Sequence, residues 1–115
     1  MKYAILMTDG AGAWERLSPA EQAEVFRKHE EFQASLVREG KYVWSGRLDG
    51  AAAARTVRRD ARGRSRVTDG PFAESKEVLG GIYVIEAASL AEALDWAERG
   101  RFIEGSNEVR PFLAS

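Results

Sequence analysis

Residues 68–86, Thr-Asp-Gly-Pro-Phe-Ala-Glu-Ser-Lys-Glu-Val-Leu-Gly-Gly-Ile-Tyr-Val-Ile-Glu, constrain the fold more than any other stretch. Val78 to Ile85 is an almost unbroken apolar run containing Gly80 and Gly81. A short apolar run bounded by turn signals reads as a strand buried on both faces. Just before it stand the turn cluster Asp69-Gly70-Pro71-Phe72 and the charged run Glu74-Ser75-Lys76-Glu77. A loop carrying acids, a hydroxyl and a lysine therefore feeds directly into a central strand, and rigid strand ends are good places to hold reactive groups.

The rest of the chain supplies partners for that strand. Met1 to Thr8 alternates, with Tyr3, Ile5 and Met7 on one side and Ala4, Leu6 and Thr8 on the other. Asp9 to Ala13 reads as a loop. Ser18, with Pro19 next and Glu21 three residues on, is a capping box that opens a helix. Gly40 is its natural stop. Val25, His29, Phe32 and Leu36 fall on one stripe of this helix, so the single histidine faces the core or its margin. Lys41 to Leu48 reads as a strand with Tyr42, Trp44 and Gly46 on one face. Ala53–Arg58 and Ser65–Thr68 form a hairpin around Asp60-Ala61-Arg62-Gly63. Six arginines on it, Arg55, Arg58, Arg59, Arg62, Arg64 and Arg66, suit a solvated hairpin whose charges protect a sheet edge. Ser89 and Glu92 open a second helix with Leu90, Ala93, Leu94 and Ala97 as its buried stripe, ended by Gly100. Glu108 to Leu113 is the last strand, and Pro111 places it at an edge or a sheet end.

This order predicts an α+β fold, a ferredoxin-like split βαβ with an inserted β-hairpin, in one domain spanning residues 1–115. Two helices cover one face of a sheet. The strands carry apolar residues on both. The uncovered face is expected to close on a second copy, giving a homodimer.

Composition narrows the function classes. The net charge is −1, and no aromatics interleave with the hairpin arginines, so no direct nucleic-acid partner is expected. No apolar run approaches the ~20 residues needed to cross a membrane, no secretory signal opens the chain, and the expected compartment is the cytoplasm. With no cysteine and one histidine, thiolate chemistry is excluded and no metal is expected. Phosphate-binding and nucleophile-elbow motifs are absent, so no cofactor is expected.

The candidate site residues are few. His29 has the ordinary pKa range for proton transfer at neutral pH; its other reading is a core-edge residue with one satisfied hydrogen bond. Glu74, Ser75 and Lys76 are expected either to bind a polar ligand or to form a solvated turn. Trp44 and Tyr83 either line an apolar pocket or pack in the core. Gly80-Gly81 inside a strand signals a bulge or a close backbone approach.

Asp69-Gly-Pro-Phe-Ala-Glu-Ser-Lys-Glu followed by Leu79-Gly-Gly-Ile-Tyr resembles the signature of the DGPF branch of the YCII-related family. The opening strand, the first helix with His29 and the ending Glu108-Val109-Arg110-Pro111 resemble it too, over nearly the whole chain. The resemblance implies a ferredoxin-like fold pairing into a dimeric α/β barrel. It implies a catalytic role for His29, placed eleven residues before the helix-ending Gly40, with an aspartate as partner. Asp69, in the loop before the central strand, is the favoured partner, and Asp49, which ends the strand after the helix, is its rival. A carboxylate there would fix the imidazole tautomer and stabilise its charged form.

Three functions follow as expectations. The first is a homodimeric domain that binds a small polar or acidic ligand in an inter-strand or dimer cleft. The second is a cofactor-independent acid/base enzyme, of isomerase, lyase or dehalogenase type, using a His-Asp pair. The third, implied by the resemblance, is a regulatory partner linked to an extracytoplasmic-function sigma factor.

Overall fold

The chain is described from a computed structural model covering residues 1–71 and 77–114. Glu74, Ser75 and Lys76 lie outside the described residues. The strands and helices follow in the order β1 (Lys2–Gly10), α1 (Pro19–Arg38), β2 (Tyr42–Arg47), β3 (Arg55–Arg59), β4 (Ser65–Asp69), β5 (Glu77–Glu86), α2 (Leu90–Arg99) and β6 (Gly105–Pro111). A single 3-10 turn, Ala51–Ala53, precedes β3.

The helix ends are set by the residues that the sequence marks. Ser18 accepts from the Glu21 backbone N–H, and Glu21 accepts from the Ser18 N–H, so both halves of the capping box form. At the other end Gly40 takes φ 70°, and Lys41 N–H donates to Leu36 O at 2.8 Å. This left-handed turn releases the chain into β2.

The main sheet has the order β2-β5-β1-β6, all neighbours antiparallel, which is the split βαβ arrangement. Both helices pack on one face. There Tyr3, Ile5, Met7, Tyr83 and Ile85 of the sheet meet Phe32 and Leu36 of α1 and Ala93, Trp96 and Ala97 of α2. The molecule is only 18 Å through its thinnest axis, the depth of one sheet and one helix layer. On the opposite face Leu6, Ile82 and Val84 are half-buried, and neither helix covers them. Within the single chain β5 is therefore fully buried on one face.

Four local readings are corrected. Asp9 and Gly10 continue β1 instead of opening a loop. In α2, Trp96 carries the buried stripe, while Leu90 and Leu94 are each 51% exposed. The stripe is turned because Trp96 fills the space beside Phe32. In β2 the register shifts between Tyr42 and Trp44, so Tyr42, Ser45 and Arg47 share the inner face and Trp44 turns outward. Finally, β3 and β4 form a two-stranded sheet of their own, hydrogen-bonded to neither edge strand of the main one. Asp60 ties their turn by accepting from the Arg62 and Arg64 N–H groups.

Candidate functional site

The anticipated bulge in β5 shapes the site. Met7 pairs with Gly81 and Thr8 with Leu79, which leaves Gly80 as the extra residue. A Cβ on Gly80 would lie 2.7 Å from Asp9 Oδ2. Only glycine lets the Asp9 carboxyl settle there. Gly81 lies between Met7 and Arg47 across the strands, and its missing side chain leaves bare backbone as floor.

Above that floor is a cavity of about 360 Å³ between the sheet, α1 and the segment after α2. Trp14, Phe26, Tyr83 and Phe102 contribute aromatic wall, and Asp9, His29, Glu30, Arg47 and Arg101 contribute ionisable groups. Each has a structural reason to be there. Asp9 keeps the parity of Tyr3, Ile5 and Met7 along β1 and so points to the helix side. His29 lies one turn from both Val25 and Phe32, on the inner face of α1. Arg47 is brought inward by the irregularity in β2.

His29 Nδ1 lies 3.2 Å from the Tyr83 phenol oxygen, and the imidazole packs edge-on against Phe102 at 4.7 Å between centroids. Burial lowers the His29 pKa below its ordinary value, and the Arg47 charge lowers it further. The ring is therefore neutral at pH 7. Burial raises the Asp9 pKa, against the opposing pull of Arg47, and Glu15 raises it further. The Tyr83 phenol is pushed up to about 12 by burial and by the neighbouring Tyr42, so it keeps its proton. A neutral imidazole, a carboxyl biased toward its protonated form and a neutral phenol can together accept, hold and return a proton.

The residues expected from the sequence are distributed unevenly. His29 and Tyr83 come together in the cavity. Asp69 does not join them. Its side chain is 93% exposed on the separate hairpin and pairs with Arg55 at 3.2 Å. Asp49 accepts a hydrogen bond from the Gly50 N–H at 2.7 Å, outside the cavity lining. The polar partner of His29 is a phenol, and the carboxyls lining its cavity are those of Asp9 and Glu30. Trp44, 55% exposed, stands on the outer sheet face and does not line the cavity. Asp9 was missed because Asp9 to Ala13 reads as a loop, although it is the next inward position of β1 after Met7. Arg47 was missed because the β2 irregularity turns Trp44 outward and leaves Ser45 and Arg47 on the inner face. Among the described residues, no group of three or more His, Cys, Asp or Glu could hold a metal ion. No helix among them is long and apolar enough to cross a membrane.

Comparisons with known proteins agree with this architecture. An uncharacterised protein, R00369, of Rhizobium meliloti (strain 1021) is 41% identical over 114 residues, covering 96% of this chain and 91% of its own. Among solved structures, 5-chloro-2-hydroxyhydroquinone dehydrochlorinase from Burkholderia phenoliruptrix AC1100, in complex with 2,5-dihydroxybenzoquinone, superposes with a TM-score of 0.58. It is 16% identical, with 100% of this chain and 96% of that chain covered, and the likeness shows a shared fold. The family model of the YCII-related domain matches residues 1–113. The chain belongs to the YCII-related domain family.

Proposed function

We propose that the cavity is the active site of a cofactor-independent enzyme that removes a proton from a small planar organic molecule. One observation carries this reading: the His29 imidazole, neutral at pH 7, shares an aromatic-walled cavity with the Asp9 carboxyl. When His29 Nδ1–H donates to the Tyr83 oxygen, the lone pair on Nε2 is free to act as the base. Asp9 is the second proton-transfer group. The fold is shared with a dehydrochlorinase, whose reaction couples loss of a proton to departure of chloride. That likeness of fold supports the reaction class as an analogy only.

Chloride release from 5-chloro-2-hydroxyhydroquinone tests it. The wild-type chain should release chloride, and His29→Gln or Asp9→Asn should slow release at least about 100-fold. A wild-type chain that neither releases chloride nor binds 2,5-dihydroxybenzoquinone would contradict the reading.

The enzyme is further proposed to act as a homodimer. Leu6, Ile82 and Val84, with Trp44 beside them, give the outer sheet face an apolar stripe, and a second copy laid sheet to sheet would bury it.

A further inference from the structure

We propose that Arg47, held between Trp14 and Phe26, is the receptor for an oxyanion, so that the substrate class is a planar organic acid bound through a carboxylate or an ionised hydroxyl. The inference rests on the cavity being the ligand site, and it names the group that the ligand must carry.

Arg47 is set against two aromatic rings. Its guanidinium carbon lies 4.4 Å from the Trp14 ring centre and 4.5 Å from that of Phe26. The two rings meet edge to face, with an interplanar angle of 81°, and form a notch around the cation. Ring faces attract the cation without acting as conventional hydrogen-bond acceptors for its N–H donors. Arg16, Arg27, Arg55, Arg64, Arg99 and Arg110 each have a carboxylate within ion-pair distance. Among the described residues no carboxylate stands within 4.0 Å of Arg47, although Asp9 and Glu30 line the same cavity.

An exposed guanidinium seated against two rings, with no carboxylate within ion-pair distance among the described residues, is suited to bidentate recognition of a planar oxyanion. After burial, the Arg47 charge is what lowers the His29 pKa, so the cation lies within electrostatic reach of the imidazole across the cavity, whose lining also includes Asp9, Glu30 and Arg101. The wall fixes the rest of the ligand: Phe26, Tyr83 and Phe102 offer flat apolar surface, and about 360 Å³ accommodates a one-ring compound. An acid anchored at Arg47 would present its ring to His29 and Asp9.

Benzoate and its neutral isostere benzamide, titrated while the His29 resonances are followed by NMR, test the assignment. Benzoate should perturb His29 and bind at least about tenfold tighter than benzamide. Arg47→Gln should erase the preference. Arg47→Lys, which keeps the charge without the fork, should retain only part of it. Circular dichroism on both variants shows that the fold is kept. Equal binding of the two probes, no response of His29 to benzoate, or a preference surviving Arg47→Gln would overturn the proposal. The two readings fail separately. An Arg47-dependent preference without chloride release would remove the proton-transfer reading alone, whereas chloride release with no Arg47-dependent preference would remove the anion receptor alone.

Discussion

His29 and Tyr83 stand with their rings nearly parallel, 7° apart, and with Nδ1 3.2 Å from the phenol oxygen. The pair joins the inner face of α1 to the buried face of β5, so the only histidine of the chain is oriented by the strand on which the fold is built. The lowered His29 pKa has other sources, burial first and the Arg47 charge second. Arg47→Gln should therefore raise the His29 pKa toward its ordinary value near ~6.5. Tyr83→Phe should instead change the Nδ1/Nε2 tautomer balance. The nitrogen shifts of His29 in the two variants check both outcomes.

The same shift fixes the sign of a pH effect on stability. A histidine whose pKa is depressed by folding binds its proton better in the unfolded chain. Its contribution is fully present above the unfolded value near ~6.5 and is lost as pH falls toward the lower folded value. Urea unfolding should therefore show the native chain losing stability below about pH 6.5, with a smaller loss from this source in His29→Gln. Equal slopes in that window would deny the burial of the imidazole.

Asp9 shows the reverse sign. Its pKa is raised, so the charged form is the disfavoured one, and the penalty appears as pH rises through the folded pKa. Asp9→Asn should raise the melting temperature at pH 7 while abolishing chloride release. This trade of stability against activity is the one expected of a half-buried functional acid.

Gly80→Ala separates site geometry from fold. The added Cβ would meet Asp9 Oδ2 at 2.7 Å, while the nearest backbone atom, Met7 O, is 3.9 Å away. The carboxyl must move and the sheet need not. Turnover should fall at least about tenfold, because small displacements of catalytic groups are costly, with little change in melting temperature.

Phe32 anchors the core beneath the cavity. It is 5% exposed and meets Tyr83, Trp96 and Phe102 edge to face, and its ring fills the space over Gly100. Phe32→Ala should cost about 3–5 kcal/mol in urea unfolding. For the proposed dimer, Ile82→Asp on the outer sheet face should yield monomer in sedimentation, while Val57→Asp on the separate hairpin should not. A monomeric wild-type chain would refute the pairing.

Much of the fold was readable in the sequence because the signals were local. The Ser18 capping box, the Gly40 stop, the Asp60 turn and the Gly80-Gly81 irregularity all depend on residues a few positions apart. The site was half readable. His29 and Tyr83 have the expected period and point inward, whereas Asp69 was read as a partner from its place before β5 in the chain. In space it belongs to a separate hairpin and to Arg55. Asp9 was masked by its glycine neighbours, which resemble a loop although the strand runs through them. Arg47 required knowledge of where β2 slips against β5, which is decided by tertiary pairing.

The most direct test of the central claim is a titration of the His29 imidazole by NMR, with and without 2,5-dihydroxybenzoquinone. A neutral base lining the ligand cavity predicts a free-protein pKa below ~6.5 and a clear change in the His29 resonances when the quinone binds. A pKa at or above ~6.5, with resonances indifferent to the quinone, would mean that His29 is an ordinary core-edge residue and that the cavity is not the site of proton transfer.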